Sequence, residues 1–191
     1  MIKVKVITAP SVEPWLLASV KTLMSIPDTQ SDTALTSYIK SARLTAEKFL
    51  NRKLITQTLE LALQDFSDSM ELPYGPVQSI TSAKYDDEDG TEQTVTSTNY
   101  DLDTYGPRHY CRAAYDYTWP SVRPHHNNVR IRYVAGYGNA GSDVPEDIMQ
   151  AQLILIGHWL RFQKEAESGI GPTRIPRQFY DLLTPYKVVD F

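Results

Sequence analysis

The sequence predicts an α+β fold: a small helical core, built from an N-terminal helix pair and one long C-terminal helix, with an inserted antiparallel β region. Three observations predict it. Apolar residues recur at three- and four-residue spacing over about 16–51 and again over 144–164, as in helices with a buried face. The intervening stretch, about 54–138, alternates apolar and polar residues in short runs separated by Gly, Pro, Asn and Asp. The string Asn51-Arg52-Lys53-Leu54-Ile55-Thr56-Gln57-Thr58 joins the two regimes with no linker. The expected organisation is one domain over 1–191, with helices at 16–51 and 144–164 as its core, the β insertion at 54–138 and a C-terminal tail at about 166–191.

The first helix is expected at 16–24, where Leu16, Val20, Leu23 and Met24 form one face. Ile26-Pro27-Asp28 stops it, and Ser31 or Asp32 is placed to cap the second helix by accepting a hydrogen bond from an orphan N–H. That helix carries Leu35, Tyr38, Ile39, Ala42, Ala46, Phe49 and Leu50 on one stripe, with Lys40, Ser41, Lys48 and Asn51 facing away. Past the joint, Leu59, Leu61 and Leu63 alternate with Thr58, Glu60 and Ala62, the period of a half-buried strand. Segments 77–85 and 91–95 flank Asp86-Asp87-Glu88-Asp89-Gly90, a hairpin tip in which Gly90 supplies positive φ. Shorter strands are expected at 100–105 and 110–115. In 129–133, Val129, Ile131 and Tyr133 alternate with Arg130 and Arg132. Asp143 and Glu146 read as a capping-box pair around Pro145, opening a helix that is apolar on most sides from 148 to 162 and so expected to be buried. Gly157 costs that helix about 1 kcal/mol relative to Ala, so a neighbouring backbone is expected to pass close to it. A mobile Gly-rich connection at 165–176 and a short helix at 178–183 complete the chain.

Composition narrows the function classes. The 191 residues are 41% hydrophobic and 22% charged, an ordinary globular balance, and suffice for one generous domain. A formal net charge of −4 argues against gripping nucleic acid over a broad surface, because that affinity comes from Lys and Arg neutralising phosphates. The single cysteine, Cys111, excludes an internal disulfide and a paired-cysteine zinc site. The opening Met1-Ile2-Lys3-Val4-Lys5-Val6-Ile7 has no sustained apolar run, so no signal peptide is expected. The longest apolar stretch, 151–160, is interrupted by Gln152 and His158, so no membrane partner is expected.

No catalytic, cofactor or metal site emerges. A calcium loop ending on Gly90 would place its first ligand on Tyr85 and its twelfth on Thr96, neither a carboxylate. His109, Cys111, His125 and His126 lack zinc spacing. Cys111 with His109 offers a nucleophile and a base but no third orienting group. Gly169-Ile170-Gly171 lacks both the preceding strand and the following helix of a dinucleotide site. His158 reads as a core or interface histidine. The stretch Arg108, Tyr110, Arg112, Tyr115, Tyr117, Trp119 and Arg123 has two readings. It is a β surface of packed aromatics whose arginines meet acids, or a ligand- or single-stranded nucleic-acid-binding module.

Three strings in this order, Leu54-Ile55-Thr56-Gln57-Thr58, Val134-Ala135-Gly136-Tyr137-Gly138 and the helix opening at Val144-Pro145-Glu146, resemble the head-tail connector (adaptor, head-completion) proteins of tailed bacteriophages. The resemblance implies a structural virion protein, not an enzyme. It would be made in the host bacterial cytoplasm and placed at the capsid-tail junction as a homo-oligomeric ring, twelve-fold in the virion. The implied partners are the portal protein on one side and the next connector (stopper) or a tail protein on the other. Genomic DNA would pass through the channel without sequence-specific binding.

A ring of identical subunits needs two different complementary faces on each copy. The sequence names an acidic and a basic set for a ring interface: Asp86, Asp87 and Asp89 against Arg108, Arg112, Arg130 and Arg132. The tail residues Phe179, Tyr180, Leu183 and Tyr186 are too apolar to be left in water and form the second candidate, docking on the portal or a neighbour. Covering the chain's own helical core is the alternative for that tail.

Overall fold

The computed structural model describes residues 3–27, 29, 31–167 and 174–189. The chain forms two compact units, one of Met1–Ser11 with Thr56–Tyr137 and the other of Val12–Ile55 with Gly138–Phe191. The first is mainly β and the second mainly helical, so the α+β class stands as expected, and the antiparallel β region proves to be two sheets.

The β unit contains β1 (Lys3–Thr8), β2 (Gln57–Leu63), β3 (Ser69–Leu72), β4 (Val77–Asp86), β5 (Glu92–Val95), β6 (Tyr100–Asp103), β7 (His109–Ala113) and β8 (Val129–Ala135). A five-stranded sheet runs β1-β2-β8-β4-β5 and a three-stranded sheet β3-β7-β6, all pairs antiparallel. The alternation in β8 explains its place. Val129, Ile131, Tyr133 and Ala135 are all buried, while Arg130 and Arg132 lie on the other face. Leu59 and Leu61 of β2, Met70 and Leu72 of β3, Ala83 of β4 and Cys111 of β7 join them in one core shared by both sheets. The β4–β5 hairpin turns at Gly90 with φ +86°, as the Asp-Gly tip requires. Two strands are additions to the sequence reading, β1 and the four-residue β3. The strands expected at 100–105 and 110–115 are shorter than expected.

The helical unit contains α1 (Leu17–Leu23), α2 (Asp32–Leu50), α3 (Glu146–Glu167) and α4 (Arg177–Leu183). α3 packs against α2 and α4. Their buried side chains include Leu35, Ile39, Ala42, Ala46, Leu50, Ile148, Ala151, Leu155, Ile156, Phe179 and Leu183. Several local expectations are corrected. In α1 only Val20 is buried, and Leu16 and Leu23 are 68% and 58% exposed. Leu17, Val20 and Met24 share the same three- and four-residue spacing, and seven residues are too few to distinguish that stripe from one containing Leu16 and Leu23. Ser31 makes no side-chain cap, and Asp32 instead accepts a hydrogen bond from Lys21 Nζ at 2.5 Å. Asp143 serves the turn before α3, accepting from the Ala140 N–H at 2.9 Å, where a Cβ on Gly138 would collide with its carboxylate. α3 is buried along 148–156 only on part of its surface, and 157–160 are half-buried, His158 among them. What approaches Gly157 is a side chain, since an added Cβ would meet Met24 Cε at 3.3 Å. Residues 165–167, expected in a loop, continue α3, and 168–173 of that expected connection lie outside the described residues.

Candidate functional site

Of the charged residues named for a ring interface, all but Asp89 are engaged within the β unit. Arg130 grips Asp86 with both terminal nitrogens, at 2.6 and 3.3 Å, and also reaches Glu92 at 3.0 Å. Arg132 donates to Glu60 Oε2 at 2.7 and 3.1 Å, Arg108 to Glu71 at 3.0 Å, and Arg112 lies 3.2 Å from Asp103. The structure brings Asp86 and Arg130 together as sequence expects of opposite charges, but inside one subunit. Antiparallel pairing with β8 brings Lys84 and Tyr85 of β4 opposite Arg130 and Val129, which places Asp86 at the same end of the sheet as Arg130. The hydrogen bond from Arg130 holds the Asp86 carboxyl below the usual carboxylate range.

Asp87 organises the hairpin tip. Its carboxylate accepts from Gln93 Nε2 at 2.8 Å, from the Thr91 N–H at 2.9 Å and from the Asp89 N–H at 3.1 Å, and these bonds lower its pKa. Asp89 is exposed at that tip. Three of the four carboxylates in 86–89 therefore differ in role: Asp86 pairs, Asp87 shapes the turn and Asp89 faces water.

The aromatic stretch turns partly inward. Trp119 stacks on Phe66 with ring centres 4.5 Å apart, Tyr117 meets Trp119 edge-on, and both pack against the β core. Tyr110 lies under the Arg112 guanidinium, and Tyr115 is exposed. His109 Nδ1 accepts from the Val77 N–H at 2.7 Å, and burial pushes the Cys111 thiol up to about 12, far from a reactive thiolate. Among the described residues no group of three or more His, Cys, Asp or Glu is arranged to hold a metal, and no helix is long and apolar enough to cross a membrane.

In the helical unit the tail lies against α2. Phe179 and Leu183 are fully buried, and Phe49 meets the rings of Phe179 and Tyr180 at 6.4 and 5.2 Å. Beyond α4, Val188 N donates to Leu50 O, and Arg52 Nε to Tyr186 O at 2.8 Å. The Tyr186 hydroxyl reaches Asp147 at 3.0 Å. Of the four tail residues named from sequence, Tyr180 and Tyr186 keep exposed surface.

Sequence reasoning missed the cluster at the end of α2. α2 ends on Asn51 in the left-handed region, φ 53°, a conformation Asn tolerates. The buried Glu47 then accepts from Arg43 Nη1 at 3.3 Å, Lys53 Nζ at 3.0 Å and the Leu54 N–H at 3.2 Å. Arg43 in turn holds Glu13 at 2.6 and 3.1 Å. Burial disfavours the Arg43 charge, but its bonds to Glu13 and the field of Glu47 outweigh this and raise its pKa. The signal was present: Arg43 and Glu47 are four residues apart, beside Ala42 and Ala46, whose short side chains leave room for longer neighbours. Next to Glu47, Leu54 and Ile55 are buried, and Ile55 bridges Gly138, so two of the three resemblance strings meet there.

The fold as a whole has relatives. It matches a chain in the neck of the empty GTA particle computed with C6 symmetry, at TM-score 0.82 and 22% identity over 99% of this chain and 97% of that one. It also matches a chain in the virion of the native gene transfer agent (GTA) particle, at 0.79 and 22% over 98% and 96%. A third match is in the neck of the native GTA particle computed with C12 symmetry, at 0.73 and 22% over 99% and 97%. No curated protein sequence matches. These likenesses establish the fold. The sequence model for head completion proteins matches residues 16–175, and this chain belongs to that family. It is a virion structural protein of the bacteriophage head-tail connector kind, in a structural family rather than an enzyme family.

Proposed function

We propose that the chain assembles as a twelve-fold ring on the portal at the capsid vertex, joins the capsid to the next connector or tail protein, and lets DNA pass through its channel. The observation that carries this reading is the family match over 16–175, in a chain that shares its fold almost end to end with components of particle necks computed with C6 and C12 symmetry. A ring is the assembly that such symmetry describes. The net charge of −4 suits a conduit that must release its DNA, because few cations are left to hold phosphates. On this reading the protein is made in the host cytoplasm, ends at the capsid-tail junction, and contacts the portal or a neighbour through the exposed surface of Tyr180 and Tyr186.

Mixing the purified chain with portal rings of the same particle, then measuring the mass and symmetry of the product by native mass spectrometry and cryo-electron microscopy, tests the reading. A coaxial ring of twelve copies on the portal is expected. A competent portal that recruits no ring overturns it.

A further inference from the structure

We propose that the five-stranded sheet is continued from one copy of the chain to the next, with the basic edge strand β1 of one subunit pairing with the edge strand β5 of its neighbour, beside the acidic turn that precedes β5. This rests on the ring reading above and names the contact that builds the ring.

The strand order leaves β1 and β5 at the two ends of the sheet, β1 paired to β2 and β5 to β4. An edge strand presents N–H and C=O groups outward and is a template for a further strand. The two edges are opposite in charge. β1 is Lys-Val-Lys-Val-Ile-Thr, with Lys3 and Lys5 exposed and no acid. Lys3 Nζ donates to a neutral group, Asn127 Oδ1, and Lys5 stands opposite Glu60, which Arg132 already neutralises. β5 opens on Glu92, which Lys84 and Arg130 neutralise, and follows directly from the turn carrying Asp87, Glu88 and Asp89, where three acids outnumber the one cation, Arg123, that lies against Gly90. Between the edges the charges are matched: Glu60 with Arg132, Arg130 with Asp86, Lys84 with Glu92 at 2.6 Å.

This distribution selects among the ways edges can meet. Two β1 strands would bring four lysines together, and two β5 strands would oppose two acidic turns. β1 against β5 offsets both. Edge lysines usually block strand addition. Here the opposite edge is acidic, so the same lysines exclude a two-fold dimer while favouring the head-to-tail contact, the kind that closes into a ring. Val6 adds a second observation. It stands opposite the buried Leu59, on the core side of the sheet, yet is 46% exposed. A strand added beyond β1 would cover it.

The test uses the full chain in three variants: Lys3→Glu with Lys5→Glu, Glu88→Lys with Asp89→Lys, and all four together. Each is assembled at about 50 mM salt, where surface charges are weakly screened, alone and with portal rings, and copies per particle are counted by native mass. Amide hydrogen exchange follows β1 and β5, with the β8 amides reporting that each variant is folded. Each two-residue variant is expected to assemble at least about tenfold more weakly, and the four-residue variant to recover to within about threefold. On assembly of the parent chain, β1 and β5 amides should exchange at least about tenfold more slowly. Variants that all assemble like the parent, or β1 and β5 amides that stay unprotected in the assembled ring, overturn the edge pairing and leave the ring reading intact. A parent chain that remains monomeric on a competent portal overturns both.

Discussion

The two units carry ion pairs of the same chemistry at different depths. In the helical unit, Arg43 and Glu47 are 5% and 3% exposed, and their remaining valences are met by Glu13, Lys53 and the Leu54 N–H. In the β unit, the Arg130–Asp86 and Lys84–Glu92 pairs lie on a sheet face open to water. The difference teaches what each set does. A buried charge that loses its partner cannot turn to solvent, so the Glu47 cluster locks the end of α2 to the segment that leaves it. Exposed pairs exchange a partner for water at little cost, so they set a pattern of charge along the sheet more than they stabilise it.

The comparison breaks if Glu47→Ala is mild. Removing that carboxylate takes an acceptor from Arg43, Lys53 and the buried Leu54 N–H at once and leaves Arg43 held by Glu13 alone, and the expected loss is about 3–5 kcal/mol. Urea unfolding reads it through Trp15 and Trp159 of the helical unit, separately from Trp119 of the β unit. Next in size is Leu183→Ala, about 2–4 kcal/mol from the cavity left under α4. A loss below about 1 kcal/mol would mean that the tail does not belong to the helical core. Asp86→Asn should cost about 1 kcal/mol or less, and salt at 1 M should erase most of that difference while leaving the Glu47 effect in place.

Acid sharpens the contrast further. Because Asp86 has a lowered folded-state pKa, its stabilisation is complete above the ordinary Asp value of 3.8 and is lost as pH falls through the lower folded value. The Trp119-reported midpoint should therefore drop below about pH 4, and drop less in Asp86→Asn. The smallest effect is expected from Lys84→Gln, whose urea midpoint should match the parent's at physiological salt.

Much of this was legible in order. The alternation at Leu59 and Leu61, the Asp-Gly hairpin tip, the Val-Arg-Ile-Arg alternation of β8 and the amphipathic stripe of α2 all became the elements they suggested. β1 was not legible, because Lys-Val-Lys-Val at an edge shows a partly exposed apolar face that reads as a polar terminus. β3 has only four residues, Ser-Met-Glu-Leu, too few to show a period. For the interface, the residue types were readable and their partners were not. Asp86 and Arg130 are 44 positions apart, and Glu60 and Arg132 are 72.

What the sequence determined by itself is therefore the kind and order of the elements long enough to show a period, β1 and β3 excepted, because helix and strand periods depend on neighbours two to four residues away. The tertiary structure alone decided which face of α1 turns inward, that Arg43 and Glu47 sit buried at the end of α2, that Asp86 and Arg130 meet within one subunit while the other named arginines take Glu60, Glu71 and Asp103, and that β1 and β5 end the same sheet, one carrying lysines and the other following an acidic turn. These depend on strand order and helix packing, which bring together residues whose separation in the chain carries no local signal.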